Sequence, residues 1–534
     1  MPGHVFVVRG DVRRIACDAW LMPCDRRARN PEFLPDHLRD FADWPEPPAD
    51  FHHSGRRVLP IPAWPADEPR PWLVHVGGRP GAPRDWYVEG LRQALAVIVP
   101  DVRSRAPRNR REKPLVALPL LGTGGGAWSE LGAAVRALLP VLSETAQRED
   151  VDFALVALGA MSFAAMQHER AQLPGVWACL SSDLQADAER LVGPLSARRL
   201  SLFLGAGASV GAGLPLWSGL LDSLAEGLGV PRDDARRIRD RLGELEFATY
   251  LSRQLGDPSR LSQAVAAIFS TPARRWYYSL AQGLLAALPI RETVTTNYDQ
   301  LFEAAWDAAS AEPISKTSFA PTLRTSIIPH RLRPDADRWL MKMHGCLSQP
   351  ETIVLTRESY IRYSEQWAAL EGILQATLLT RHMLFVGFSF ADDNFLRIVD
   401  AVRRIVRPRG TSAEPPHAPY GTALMLTDDS VLRSLHEPEL RWTTFGGALA
   451  GRDESPVVLA PAARRLEIFL DYLASQTRES SHLLDDRFSD VLDAEEQSLK
   501  ALLGPLVQAA RSRPDHAVWG RVRGWLRGLG AEGV

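Results

Sequence analysis

Residues 200–213 read Leu200-Ser-Leu-Phe-Leu-Gly205-Ala-Gly-Ala-Ser209-Val-Gly-Ala-Gly213. Five residues typical of a buried strand lead into a loop with four glycines, and a helix pattern follows. Glycine lets the backbone approach a ligand closely, and a helix start presents free N–H groups to an anion such as a phosphate. The spacing departs from the dinucleotide fingerprint G-x-G-x-x-G, because Val210 stands where the third glycine belongs. The stretch therefore predicts a nucleotide site on an α/β sheet, and it disfavours an ordinary nicotinamide dehydrogenase.

Three further segments place polar residues directly after apolar strand patterns. They read Val294-Thr-Thr-Asn297-Tyr-Asp299, Met341-Lys-Met-His344-Gly345 and Met383-Leu-Phe-Val-Gly387-Phe-Ser389-Phe-Ala-Asp-Asp393-Asn394. Open α/β sheets bind their ligands at the carboxyl ends of their strands. We therefore expect these segments to meet the glycine loop at one edge of a sheet.

In this order, the motifs Gly-Ala-Gly-x-Ser, Thr-x-Asn-x-Asp, His-Gly and Gly-x-Ser resemble the sirtuin family over roughly residues 196–450. The resemblance implies a Rossmann-like parallel sheet and NAD as the substrate. It also implies a catalytic role for Asn297, His344 and Asp299. The residues that it implies for NAD binding are Gly205, Ala206, Gly207, Ser209, Thr296, Gly387 and Ser389.

Two sirtuin features are missing from this sequence. The four cysteines, Cys17, Cys24, Cys179 and Cys346, are not spaced as the Cys-x-x-Cys pairs that hold the sirtuin zinc module. The deacylase motif Gly-Ile-Pro-Asp-Phe-Arg is replaced by Gly213-Leu-Pro-Leu-Trp-Ser218, and the insert from about 217 to 288 has helical periodicity. This variant resembles the bacterial sirtuin-like effectors of antiphage defence, which destroy NAD, and we expect no metal.

The chemistry of NAD indicates what such a site needs. Breaking the nicotinamide–ribose bond creates an oxocarbenium-like ribose and releases a neutral leaving group, so no strong nucleophile is required. His344 suits proton transfer near neutral pH, and the Asn297 amide can orient a water or a ribose hydroxyl. Asp299 can bind a ribose hydroxyl or cap the following helix, and Ser209 can bind phosphate or cap a helix.

From these residues we expect hydrolysis of NAD to nicotinamide and ADP-ribose. The alternatives are a catalytically silent nucleotide-binding scaffold, an NAD-dependent protein deacylase and an ADP-ribosyltransferase. Because an unregulated NAD hydrolase would kill its host, we expect its activity to be gated.

The N-terminal third carries strand patterns that alternate with helix patterns. Its motifs are Val5-Phe-Val-Val-Arg-Gly10-Asp11, His75-Val-Gly-Gly78 and Leu115-Val-Ala-Leu-Pro-Leu-Leu-Gly122-Thr-Gly-Gly-Gly126. They resemble a macrodomain, the fold that binds ADP-ribose. The resemblance implies an adenine contact from Asp11 and a phosphate-wrapping loop made of Gly122, Thr123, Gly124, Gly125 and Gly126. Met22-Pro-Cys24-Asp25 replaces the family's Asn-Ala-Ala-Asn, and an α/β domain with no ligand stays an alternative.

The predicted fold class is α/β, in three parts. Residues 1–185 form a macrodomain-like α/β/α sandwich that serves as the ligand sensor. Residues 195–460 form the sirtuin-type domain with its helical insert, and residues 461–534 form a helical tail. Strand patterns at Thr422–Leu426 and Val457–Leu459 are expected to end the second sheet.

Composition limits the partners and the location. The net charge of −2 gives no basic field for nucleic acid, so none is expected as a partner. The longest uncharged apolar stretch, Phe153–Met166, has 14 residues and is too short to span a bilayer. Unpaired cysteines indicate a reducing compartment, so we expect a cytoplasmic protein. Apolar helical faces predict a homo-oligomer, and the trigger is expected to be an ADP-ribose-like signal or a phage protein.

Overall fold

The computed structural model divides the chain into two compact units. It describes residues 1–534 except 42, 52–56, 77–83, 123–130, 272–274, 311, 314–318, 321–324, 407–418, 449–455, 478–479 and 515. The first unit contains Met1–Gln185, Ala305–Thr322 and Ile468–Val534, and the second contains Ala186–Ala304 and Leu323–Glu467.

The first unit is built on a six-stranded sheet. Its strands are β1 (Val5–Arg9), β2 (Ala19–Cys24), β3 (Val58–Pro60), β4 (Arg70–His75), β5 (Leu115–Pro119) and β6 (Asp152–Ala157). Their order is β1-β6-β5-β2-β4-β3, in which β3 is antiparallel to β4 and the other neighbours are parallel. Each residue of β5 and β6 is buried, as expected for apolar strands inside a parallel sheet.

Helices pack against this sheet. They are α1 (Arg84–Arg103), α2 (Leu131–Glu149) and α3 (Ala160–Ala171), and α4 (Ser182–Ser196) follows them. The first unit thus has the layered α/β organisation that its alternating patterns predict.

Seven parallel strands form the sheet of the second unit. They are β7 (Leu200–Leu204), β8 (Glu292–Thr295), β11 (Thr325–Ile328), β12 (Arg338–Lys342), β13 (His382–Val386), β14 (Gly421–Met425) and β15 (Leu440–Thr444); two short strands, β9 (Glu312–Pro313) and β10 (Phe319–Ala320), pair with each other elsewhere. The order is β11-β12-β8-β7-β13-β14-β15, so the strand order reverses between β7 and β13. In doubly wound sheets, ligands bind at the carboxyl ends of the strands beside this reversal.

The predicted helical insert is present between β7 and β8. Its helices are α5 (Gly207–Val210), α6 (Trp217–Gly227), α7 (Arg232–Leu242), α8 (Glu244–Leu255), α9 (Pro258–Ile268) and α10 (Leu280–Ala287). Ser279 and Gln282 form a capping box that starts α10. The later helices are α11 (Leu301–Ser310), α12 (Arg357–Ile361), α13 (Tyr363–Thr380), α14 (Asp393–Val406) and α15 (Ser430–His436).

One predicted strand is wrong. Val457–Leu459 lies in α16 (Pro456–Ser475), a helix of 20 residues. Three apolar residues span less than one helical turn, so their pattern alone cannot distinguish a strand from a helix. The sheet ends instead at β15, which the sequence analysis did not predict.

The tail is helical from there onward. A 3₁₀ turn (Asp486–Val491), α17 (Ala494–Arg511) and α18 (Ala517–Gly528) follow α16. Within the first unit, Phe488 and Val491 of this turn pack against Ala165 of α3 in an apolar cluster. No helix in the described part of the chain has the length and apolar character that crossing a membrane requires.

Candidate active site

A cleft of about 450 Å³ opens at the carboxyl ends of β7, β8, β12 and β13. This position is the reversal of strand order, and the volume lies within the range of small-molecule sites. Nine of the ten residues predicted for the NAD site line it, namely Ala206, Gly207, Ser209, Thr296, Asn297, Asp299, His344, Gly387 and Ser389. Gly205 lies directly behind the cleft, where it packs against the loop that follows β13.

The glycines of the two loops pack against each other. Gly205 N donates to the carbonyl of Val386 (3.0 Å), and Gly207 N donates to the carbonyl of Gly387 (2.9 Å). A Cβ added to Gly207 would lie 2.7 Å from Gly387 Cα, and one added to Gly205 would lie 2.7 Å from Phe388 Cα. The sequence interpretation assigned these glycines to a ligand. The structure shows that close contact between two backbones also requires them.

A buried hydrogen-bond network fixes the Asn297 side chain. Asn297 Nδ2 donates to the carbonyl of Gly205 (3.1 Å) and to Ser209 Oγ (3.3 Å). Ser209 Oγ also accepts from Gln282 Nε2 (3.0 Å) and donates to Asp299 Oδ2 (2.9 Å). Asn297 Oδ1 is shielded from solvent and has no hydrogen-bond partner among the described residues. The site thus holds an oriented acceptor that no described residue uses.

The network also shows what Ser209 and Asp299 do. Besides accepting from Ser209, Asp299 accepts from the backbone N–H of Leu301 through Oδ1 (3.0 Å), as a cap of α11 does. Both side chains therefore have hydrogen-bond partners within the protein. Asp299 caps α11, as one of its two expected roles requires, and Ser209 hydrogen-bonds to the side chains of Asn297, Gln282 and Asp299.

His344 lies in the same cleft and is only 2% exposed. Its Nε2 atom is 3.3 Å from Asp392 Oδ2, in a geometry that makes no hydrogen bond with any residue that the structure describes. Burial lowers the pKa of His344, and the Asp392 charge opposes this without outweighing it. The imidazole is therefore neutral at neutral pH and can accept a proton.

Asp392 and Tyr360 were not identified from the sequence. The Tyr360 hydroxyl donates to Asp392 Oδ2 (2.9 Å), and the Tyr360 ring lies 5.3 Å from that of His344. Asp392 follows the predicted Gly387–Ser389 segment, so its position after a strand was the available signal. Tyr360 comes from α12, which gives no such signal.

Lys342 also lies beneath the site and was not identified. Its ammonium group, 3.0 Å from Glu303 Oε1, donates to the backbone carbonyls of Asn297, Tyr298 and Asp299. Burial is the largest influence and lowers the pKa of Lys342, but the charges of Glu303, Cys346 and Asp299 together outweigh burial, so the net pKa is raised. A charged ammonium therefore holds the segment that carries Asn297. A lysine inside the apolar run 339–343 was the signal for this role.

The residues predicted for the sensor lie in the first unit. Asp11 follows β1, accepts from Arg13 N (3.0 Å) and pairs with Arg13 Nη2 (2.6 Å). Gly122 follows β5 with φ +84°, and a Cβ there would contact the Tyr87 ring. Since β1 and β5 both run parallel to β6, Asp11 and Gly122 belong to the same sheet edge. Thr123, Gly124, Gly125 and Gly126 lie outside the described residues.

The second unit has a Rossmann-like fold with a cleft at the reversal of its strand order. Residues 291–440, which carry Asn297 and His344, match the family model described as SIR2-like domain.

Three curated relatives each match about two fifths of the chain. The NAD(+) hydrolase ThsA of Enterococcus faecium is 30% identical over 208 residues, which cover 39% of this chain and 40% of that protein. The NAD(+) hydrolase ThsA of Bacillus cereus (strain MSX-D12) is 30% identical over 203 residues, 38% of this chain and 40% of that protein. Defense-associated sirtuin 2 of Bacillus subtilis is 24% identical over 224 residues, 39% of this chain and 19% of that protein. The chain thus spans about two fifths of the length of the first relatives that it matches.

Proposed function

We propose that this chain hydrolyses NAD to nicotinamide and ADP-ribose, with water as the acceptor. One observation carries the proposal: the unpartnered oxygen of Asn297 lies in the same cleft as the neutral imidazole of His344. Relatives named NAD(+) hydrolases support NAD as the substrate.

The Asn297 oxygen is the acceptor for the attacking water or a ribose hydroxyl. The amide nitrogen is held by Gly205 and Ser209, so the oxygen keeps one orientation. Such fixed dipoles stabilise a developing positive charge without reorganising during the reaction. We assign Ser209 and Asp299 to positioning Asn297, because Ser209 Oγ accepts a hydrogen bond from the Asn297 amide and donates one to Asp299.

His344 accepts the proton that the water loses as its oxygen bonds to the anomeric carbon. The carbon–nitrogen bond breaks, and nicotinamide leaves as a neutral molecule with the bonding electron pair. The Asp392 carboxylate, 3.3 Å away, stabilises the imidazolium that forms. Apolar residues of the cleft wall restrict water around the bond; they are Leu214, Trp217, Leu220, Phe269 and Phe388.

The test is chromatography of NAD incubated with the purified full chain. We expect nicotinamide and ADP-ribose from the wild type. His344→Ala should lose at least ~100-fold in turnover, the usual size of a general-base contribution, and Asn297→Ala should lose about as much because it removes an oriented dipole. His382→Gln is the matched control, because His382 lies at the amino end of β13 and bonds Thr422 Oγ1 (2.9 Å), away from the cleft. It should keep wild-type turnover.

The alternatives give different products in the same assay. A deacylase releases nicotinamide only when an acyl-lysine peptide is present, and an ADP-ribosyltransferase leaves ADP-ribose on protein. A silent scaffold leaves NAD intact. The hydrolase proposal fails if the wild type and both cleft variants leave NAD equally intact in every ligand and oligomeric state tested.

We further propose that NAD loss serves antiphage defence by abortive infection; the name of the Bacillus subtilis relative, Defense-associated sirtuin 2, supports a role in defence. Acting on the cell's NAD pool requires a cytoplasmic location. Cells that carry the wild-type gene should lose NAD during phage infection, whereas cells with Asn297→Ala should keep NAD and release phage. Unchanged NAD in infected wild-type cells would contradict this role.

The first unit is proposed as a macrodomain-like sensor that gates the reaction through an ADP-ribose-like ligand. Asp11 and Gly122 share a sheet edge, which supports a site there. A shallow, open surface cavity of about 420 Å³ just beyond β2 is lined by the exposed side chains of Arg26, Arg27 and Arg29, and guanidinium groups suit a diphosphate.

Calorimetry with ADP-ribose and with cyclic ADP-ribose isomers tests the sensor. We expect one ligand to bind the wild type and to raise NAD cleavage, and binding to weaken in Asp11→Ala and Arg29→Ala. Arg105→Ala is the control, because Arg105 is exposed and pairs with Asp101 (2.7 Å) outside the cavity. If no ligand binds, the trigger is a phage protein or the unit is structural.

A homo-oligomer is proposed as the active assembly. Val431 and Leu435 of α15 are 71% and 65% exposed, and Ile405 of α14 is 64% exposed. Exposed apolar residues of this kind support an interface. Light scattering should give a multiple of the chain mass. A monomeric mass with and without ligand, alongside full NAD cleavage, would overturn this proposal.

A further inference from the structure

Two histidines and a glutamate of the first unit converge outside every feature described so far. They are His168 of α3, His482 in the segment before the 3₁₀ turn, and Glu496 in the first turn of α17. Their ligand atoms all lie within 4.8 Å of one another. His168 is more than 300 residues away from His482 and Glu496 in sequence, so no sequence motif predicts the cluster.

The buried imidazole of His482 has no hydrogen-bond partner in the described part of the chain that explains its burial. It is 2% exposed, and neither ring nitrogen has a hydrogen-bond partner within the described ranges. A buried polar group without a partner loses its hydration and gains no hydrogen bond in return, so such groups are rare in folded proteins. The rings of His482 and His168 lie 5.5 Å apart, centroid to centroid, with 52° between their planes, so the two imidazoles are neighbours.

Glu496 offers a carboxylate with one oxygen already placed. Its Oε2 accepts from the backbone N–H of Asp493 (3.1 Å) in the capping box of α17. Its Oε1 lies 3.5 Å from His168 Nδ1. Ligands of a tetrahedral zinc ion, at bond lengths near 2.0–2.1 Å, stand about 3.3 Å apart. The His168–Glu496 pair therefore already has nearly the spacing of two zinc ligands.

We propose that His168, His482 and Glu496 bind a divalent transition-metal ion, with zinc as the preferred ion. Two imidazoles, one carboxylate and a water complete a four-coordinate site. The absence of thiolates from the donor set disfavours copper(I), and the imidazoles disfavour calcium and magnesium. This assignment replaces the expectation of no metal for the first unit, and it is independent of NAD chemistry.

The electrostatics of His482 fit a metal ligand. Burial, with a smaller contribution from His168, lowers the pKa of His482 to about 4. The ring is therefore neutral at neutral pH, as a ligand must be, so no proton has to leave it when the metal binds. The ion would supply the partner that the buried ring nitrogens lack.

The site would join the tail to the body of the first unit. His168 belongs to α3, whereas His482 and Glu496 belong to the segment 468–534. The apolar cluster of Ala165, Phe488 and Val491 already fixes α3 against the 3₁₀ turn. A metal that binds the folded state alone stabilises it by mass action, so the unfolding temperature should rise with the zinc concentration.

The experiment titrates zinc chloride into the chelator-treated full chain, with calorimetry for affinity and elemental analysis for stoichiometry. We expect one zinc per chain in the wild type and a rise in the unfolding temperature when zinc is added. His168→Ala should weaken zinc binding by more than ~100-fold, because losing a ligand costs more than losing an outer-shell partner.

Glu496→Gln separates ligation from folding. Glutamine keeps the capping box of α17 but loses the anionic oxygen, so this variant should fold without zinc as the wild type does and bind zinc weakly. His516→Ala is the control, because His516 is an exposed histidine that caps no backbone N–H. It should bind zinc as the wild type does.

Three results would overturn the proposal. One is the absence of stoichiometric zinc binding by the wild type at micromolar concentration. Another is wild-type zinc affinity in both His168→Ala and Glu496→Gln. The third is an equal loss of affinity in His516→Ala, which would identify adventitious surface binding. None of these results depends on NAD cleavage, which is measured separately.

Discussion

Replacing Lys342 with methionine should lower stability by breaking its ion pair with Glu303, and lower turnover by removing the donor that holds the Asn297 segment. The two effects can be measured separately. Lys342 is 1% exposed, and its ammonium group pairs with Glu303 at 3.0 Å. Methionine has a similar length but no charge, so Lys342→Met leaves a buried carboxylate without its cation. Breaking a buried pair in this way costs about 3–5 kcal/mol of unfolding free energy. Chemical denaturation followed by fluorescence measures the change.

The double variant Lys342→Met/Glu303→Leu isolates the effect on turnover. Replacing both charges with apolar side chains of similar volume is often neutral, so most of the lost stability should return. Turnover should not return, because three backbone carbonyls of the Asn297 segment still lack their shared donor. A misplacement of about 1 Å costs roughly 100-fold in rate, and NAD chromatography measures it.

Two results would refute this reasoning. If Lys342→Met unfolds at the wild-type denaturant concentration, the pair is not a buried ion pair. If the double variant regains both stability and turnover, Lys342 serves only as the partner of Glu303 and does not position Asn297.

Two further predictions follow from the cleft. Because burial lowers the pKa of His344 below 6.5, kcat/KM should be flat above pH 6.5 and fall only at lower pH; Asp392→Asn should move this acid limb lower still, and a limb at or above pH 6.5 would contradict the assignment. Gly205→Ala should cost about 1–3 kcal/mol and reduce turnover, because its Cβ would lie 2.7 Å from Phe388 Cα. Gly227→Ala, where a Cβ meets nothing within 4 Å, should be neutral or stabilising; equal losses in the two glycine variants, measured by thermal unfolding, would show that contact between the loops is not the cause.

The sequence by itself determined which strands end in polar residues and in what order. Buried strands, glycine turns and the residues that follow them are consecutive in the chain, so their pattern is visible without coordinates. That is why Asn297, His344 and Gly387 could be assigned to one sheet edge before the structure placed them in one cleft.

Short local patterns that fit two structures could not be assigned from the sequence. The run Val457–Leu459 fits a strand or a helix equally well, and only the longer context of α16 decides between them. The glycines of the β7 and β13 loops look like ligand-binding residues in sequence, although the two backbones also need them to pack together.

Tertiary structure alone decided which side chains act on each other. Gln282, Glu303 and Asp392 reach the site from separate elements, and Lys342, two residues before His344 in sequence, meets Glu303 only in the folded chain. The same holds for His168, which meets His482 and Glu496 only when the chain has folded. Burial, which lowers the pKa of His344, depends on neighbours that are distant in sequence, so the protonation state of His344 is a property of the fold.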